Sequence, residues 1–129
     1  MQDLEAIARI SVDCGFHLHR DIGPGLLESA YEILLFESLK EKGLSVERQK
    51  IIPIVFKGRV LHEAFRADLI VENRLLIELK STERYAPVHA KQLLTYLRLM
   101  DLPLGFLMNF GAATFKEGVK RIANDYYAN

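Results

Sequence analysis

The sequence holds one cysteine, Cys14, and no tryptophan among its 129 residues. A lone thiol excludes an internal disulfide and a thiolate zinc site, and it fits a reducing, cytoplasmic compartment. No apolar run reaches the roughly 18 residues needed to cross a bilayer. The first residues, Met1 to Glu5, are acidic where a secretory signal would be basic and then apolar. Neither membrane insertion nor secretion is therefore expected. Net charge is lacking too, since 17 Lys and Arg balance 17 Asp and Glu. That balance argues against a protein that coats nucleic acid by bulk positive charge. Repeats, low-complexity tracts and linkers are also missing, so residues 1–129 read as a single domain. What the chain does have is core material, with 50% hydrophobic residues, an ordinary globular share.

The spacing of those residues predicts the elements. From Asp3 to about Leu18, the positions Leu4, Ile7, Ala8, Ser11, Cys14 and Leu18 recur at helical steps. Asp21-Ile22-Gly23-Pro24-Gly25 stops that helix. A second is expected from Leu26 to about Lys42, burying Leu26, Leu27, Ala30, Ile33, Leu34 and Leu39, with Gly43 as its stop. Val46 to Phe56 is rich in β-branched residues and carries Pro53, which an edge strand tolerates best. Turns at Lys57-Gly58-Arg59 and Glu72-Asn73 link it to strands over Val60–Val71 and Arg74–Lys80, an antiparallel meander. Ala86 or Pro87 opens a third helix with Ala90, Leu93, Leu94 and Leu97 on its core face, and Leu104–Phe110 reads as a buried strand. Phe115, Val119, Ile122 and Ala123 suit a terminal helix or an edge strand equally. The sum is an α+β fold of α/β/α layers, with helices packed on a mixed sheet.

Three clusters could carry chemistry. In Leu75-Leu76-Ile77-Glu78-Leu79-Lys80 the two-residue strand period puts Glu78 and Lys80 on one face. The tight turn at Glu72-Asn73 brings Asp68 alongside. Two carboxylates and a lysine suit a hard divalent cation, Mg²⁺ or Mn²⁺, and hydrolysis of a phosphodiester; a surface ion pair between Glu78 and Lys80 is the plainer reading. At the start of the second helix, Glu28 and Tyr31 share a face, although Glu28 at the third position after a Gly25 N-cap would also serve the helix dipole. In the third helix His89, Gln92 and Tyr96 line a face away from the leucines, suited to a phosphate or to plain solvation. His17, His19 and His62 have no ligand partners by spacing, Cys14 reads as core, and Gly23-Pro24-Gly25 lacks the Lys-Ser/Thr of a P-loop.

Gly25…Glu28…Tyr31 resembles the signature of the GxxExxY proteins, small bacterial and archaeal members of the PD-(D/E)XK nuclease superfamily. Asp68 followed by Glu78-Leu79-Lys80 resembles that superfamily's metal-binding motif, and Gln92…Tyr96 resembles its QxxxY helix motif. The resemblance covers nearly the whole chain in the expected order, with Ala67 standing where the naming proline would precede Asp68. It implies a restriction-endonuclease-like core with a central mixed sheet flanked by helices. It also implies that Asp68 and Glu78 hold the metal with the Leu79 carbonyl, that Glu28 adds a helix-borne carboxylate, and that Lys80 assists the attacking water. Gln92 and Tyr96, with Tyr31 and His89 nearby, would contact the substrate.

The expected function is thus a divalent-metal-dependent nuclease acting on DNA or RNA. Its rival is a catalytically silent module that keeps the fold and binds nucleic acid or a protein; metal-dependent chemistry on a small phosphorylated molecule is a third possibility. A homodimer is expected from the apolar helical layer and the superfamily's habit. Charge is distributed to match: residues 1–46 carry 4 Lys/Arg and 8 Asp/Glu, whereas residues 47–98 carry 10 and 6. The basic excess falls on the segment that bears the motifs, where a phosphate backbone would lie.

Overall fold

A computed structural model describes residues 3–84 and 86–127. Two helices open the chain, α1 (Leu4–Ile22) and α2 (Glu28–Glu41). Strands β1 (Val46–Phe56), β2 (Arg59–Val71) and β3 (Leu75–Lys80) follow, then α3 (Pro87–Met100), β4 (Leu104–Asn109), the single turn α4 (Phe115–Gly118) and β5 (Val119–Ala123). The five strands form one sheet in the order β1-β2-β3-β4-β5. The meander pairs antiparallel, β3 and β4 run parallel, and β5 returns antiparallel to β4. A parallel neighbour cannot be reached by a tight turn, so α3 serves as the crossover.

Strand alternation divides the sheet between two cores. Leu69, Val71, Leu75, Ile77, Leu79, Phe106 and Met108 pack with α1, α2 and Phe115 of α4. Ile52, Ala67, Ile70, Leu76 and Leu107 pack with Leu93 and Leu97 of α3. The α/β/α layering and mixed sheet of a restriction-endonuclease-like core are therefore present. Cys14 lies in the first core, and Pro53 sits on edge strand β1 where the β1–β2 register shifts. The terminal segment resolves into both of its expected forms, one helical turn and then the edge strand β5.

The helix boundaries differ from the sequence expectation for local reasons. α1 runs on to Ile22 and ends only at Gly23, whose φ of 77° suits glycine and whose N–H donates to the His19 carbonyl. α2 begins at Glu28, with Leu27 rather than Gly25 as N-cap. Its buried stripe is Tyr31, Glu32, Leu35 and Leu39, while Leu27 is 78% exposed and Ile33 46%. α2 carries apolar side chains all round, so hydrophobicity alone did not orient it; the buried tyrosine and glutamate do.

Candidate active site

The site forms where the β2–β3 ladder opens. Pairing runs through Leu69 opposite Ile77 and stops one residue before Asp68 and Glu78 would meet. In place of a backbone carbonyl, Asp68 Oδ2 accepts the Leu79 N–H at 2.9 Å. The Asp68 N–H reaches Glu78 Oε1 at 3.4 Å. The two carboxyls are thereby clasped to each other's strand. Burial raises the Glu78 pKa well above the usual carboxylate range, the charge and side-chain hydrogen bond of Asp68 raise it further, and the Asp68 N–H and Lys80 only partly offset this. A strand residue points its N–H and C=O to one side, so the Leu79 carbonyl also faces β2 and Asp68. Lys80 follows Glu78 on the same face and is half-buried.

The loop after β3 is pinned. Asn109, buried at the end of β4 beside Lys80, accepts the N–H of Thr82 and of Gly111 and donates to the Thr82 carbonyl. Gly111 permits this approach, because a Cβ there would meet Thr82 N at 2.4 Å. Ser81 in turn donates to the Leu26 carbonyl at 2.6 Å, which fastens the loop before α2 to the end of β3.

Helix α3 closes one side. Tyr96 stacks on Phe65 of β2 with ring centroids 3.8 Å apart. Burial raises the pKa of its hydroxyl, and the negative charges of Glu78 and Asp68 add to the effect while a hydrogen bond with Gln92 opposes it. Gln92 is thus bonded to Tyr96, whose hydroxyl feels the charges of both carboxylates. His89 sits at the start of α3, where its Nδ1 accepts the Ala86 N–H at 3.3 Å.

Two expected residues take other positions. Tyr31 is fully buried, stacks on Phe110, donates to the Gly23 carbonyl and accepts the Leu26 N–H at 3.2 Å. It anchors the α1–α2 loop and has no surface with which to touch a substrate. Glu28 is exposed at the first residue of α2. Among the described residues no group of three or more His, Cys, Asp and Glu side chains stands ready to hold a metal.

The carboxylate that α2 does bring near Asp68 is Glu32, which is 7% exposed. Gln49 of β1 donates to both, to Glu32 Oε1 and to Asp68 Oδ1 at 3.2 Å, and Arg48 lies 3.7 Å from Glu32. Burial first, and the nearby charges of Asp68 and Glu28, raise the Glu32 pKa against the hydrogen bond from Gln49. Gln49 adopts φ 54°, a left-handed conformation within a strand. Such strain costs on the order of 1 kcal/mol, and here it falls opposite Asp68, between the pairs Arg48–Leu69 and Lys50–Ala67. Glu32 and Gln49 escaped the sequence reading. The available signal was the position of Glu32 one turn after Glu28, on the stripe of Tyr31.

Mg²⁺ demands few protein ligands and keeps several waters, so two adjacent carboxylates and a carbonyl are a chemically suitable set for it. The crowding of Asp68 and Glu78 without a full counter-charge suits a divalent cation.

Among curated proteins none matches the chain. The crystal structure of SSO0001 superposes with a TM-score of 0.54 at 23% identity, over 78% of this chain and 52% of that one. The chain thus spans about half the length of that structure, and the likeness is one of fold. No helix among the described residues is long and apolar enough to cross a membrane. The profile of the PD-(D/E)XK nuclease superfamily matches residues 5–122, nearly the whole chain, and the chain belongs to that superfamily.

Proposed function

We propose that the protein is a divalent-metal-dependent nuclease of the GxxExxY type, hydrolysing phosphodiester bonds of DNA or RNA at Asp68, Glu78 and Lys80. The observation that carries this reading is the splayed β2–β3 ladder, which holds two carboxyls and a lysine on one half-buried face. Asp68 and Glu78, with the Leu79 carbonyl, would hold Mg²⁺ or Mn²⁺. A cation bound there polarises the phosphoryl group and lowers the pKa of its water.

The chain's own groups supply the rest. The Lys80 ammonium orients the attacking water and offsets charge that develops on the phosphoryl oxygens. Gln92 and the Tyr96 hydroxyl offer hydrogen bonds to the phosphate next to the scissile one. Gln49, itself bonded to Glu32, holds Asp68 in place. Glu78 must be deprotonated to act as a ligand, so cation binding displaces its proton and strengthens as pH rises.

The test is cleavage of single- and double-stranded DNA and RNA by purified protein with Mg²⁺ or Mn²⁺, against the same mixtures with EDTA. Cation-dependent products support the nuclease; no products on any substrate form contradict it. The rival reading is a catalytically silent module that keeps the fold and binds nucleic acid or a protein. Calorimetry separates the two, because a silent module would bind nucleic acid or protein with no Mn²⁺ binding and no effect of Asp68→Ala.

A further inference from the structure

β1 and β2 are far longer than the strand they serve. β3 covers only Leu69, Ile70 and Val71 of β2, so residues 50–67 continue as a two-stranded ribbon past the end of that pairing. The ribbon leaves the sheet at Ala67, the neighbour of Asp68, and is tied to α3 at its base by Ile52 and by Phe65 stacked on Tyr96. Beyond that base its apolar side chains lie open: Val55 67% exposed, Phe56 68%, Val60 50% and Leu61 61%. Residues 50–67 carry four Lys/Arg (Lys50, Lys57, Arg59, Arg66) against one acid, Glu63. Lys57 lies over the Phe56 ring, 5.4 Å from its centroid, at the turn.

Exposed apolar side chains on both faces of a basic ribbon, Val55 and Val60 on one and Phe56 and Leu61 on the other, call for a partner. A second copy is a poor one. Two such ribbons repel, and Pro53 with the left-handed residue Gln49 interrupts the outer edge along which another strand would pair. A polyanion with apolar edges fits both properties. A two-stranded ribbon is also a width that the major groove of B-DNA admits, and from Asp68 to the turn it reaches roughly 30 Å at ~3.3 Å per residue.

We propose that the β1–β2 ribbon is a docking arm for duplex DNA, with Lys50, Lys57, Arg59 and Arg66 on phosphates and Phe56 against the groove floor. The arm delivers the backbone to the site at its base. This rests on the nuclease reading for what happens next, but not for the binding itself.

The experiment is fluorescence anisotropy of the full chain with a labelled duplex in EDTA, where no cleavage occurs, as a function of salt. Lys57→Ala/Arg59→Ala/Arg66→Ala should weaken binding about tenfold or more and flatten the slope of log K against log salt by about 2 to 3. Phe56→Ser should weaken binding with the slope unchanged. The control Arg9→Ala/Lys116→Ala, on α1 and α4, should bind as wild type does. The proposal is overturned if the arm variants bind like wild type, if the control loses as much, if a single strand of equal length binds more tightly than the duplex, or if light scattering shows the arm variants changing oligomeric state with DNA affinity intact. A protein that binds through the arm yet cuts nothing with Mg²⁺ leaves the arm standing and removes the nuclease. One that cuts, with an arm variant that binds and cuts equally well, does the reverse.

Discussion

Asp68 substitutes its side chain for a backbone carbonyl, accepting the Leu79 N–H at 2.9 Å where the β2–β3 ladder parts. One carboxylate thus has a structural duty on Oδ2 and a bond from Gln49 on Oδ1. Asp68→Asn retains one oxygen for the Leu79 N–H and removes the charge beside Glu78. It is expected to fold with at least wild-type stability and to lose cleavage. Asp68→Ala strands the Leu79 N–H and should fall below the Asn variant by about 1–3 kcal/mol in denaturant unfolding.

Glu78 gives the metal-free protein a distinctive pH dependence. Its folded pKa is raised above 4.5, so between those two values the native state holds a proton that the unfolded state has released. Stability from this group is full below the unfolded pKa and is lost as pH rises through the folded one. Thermal melting in EDTA should therefore show a falling Tm from acid toward neutral pH, and Glu78→Gln should flatten the curve. An unchanged slope in the variant would put the titration elsewhere, with Glu32, whose shift has the same sign, the next group to replace.

Gln49 bonds Asp68 directly and is itself held by Glu32, so the two act on Asp68 by positioning it. Gln49→Ala is expected to slow cleavage by about 10- to 100-fold, the usual effect of losing such a support. Calorimetry should show the loss in Mn²⁺ affinity, and raising Mn²⁺ should recover much of the rate. A purely structural role would not respond to the cation.

Tyr31 supplies the contrasting case. Its hydroxyl ties Gly23 to Leu26 inside the loop and its ring is wholly buried. Tyr31→Phe should cost about 0.5–1.5 kcal/mol of stability and leave the rate per folded molecule unchanged. A large fall in kcat with stability intact would instead make it part of the chemistry.

Much of this was legible in the chain. The two turn pairs Lys57-Gly58 and Glu72-Asn73 fixed the meander, and both have the positive φ values such hairpins need. The strand period and the short turn were enough to place Asp68, Glu78 and Lys80 together, and the helical period put Gln92 with Tyr96. α2 was harder, since Ile33 and Leu34 compete with Tyr31 and Leu35 for the core and only tertiary packing decides between the faces. Glu32 lay hidden for the same reason. A buried glutamate on an apolar helix has no periodic signature, and its partner Gln49 comes from a strand whose register with Asp68 exists only in the folded sheet.

Lys80, on the face of Glu78 and acting on it by charge, is the group that makes the carboxyl pair a hydrolytic site. The most direct measurement is the cleavage rate of wild type and Lys80→Ala side by side, with saturating Mg²⁺ or Mn²⁺ on the best substrate of the panel. The account predicts a rate at least about a hundredfold lower in the variant, with Mn²⁺ binding by calorimetry retained. Equal rates, or a wild type that cuts nothing, would contradict it.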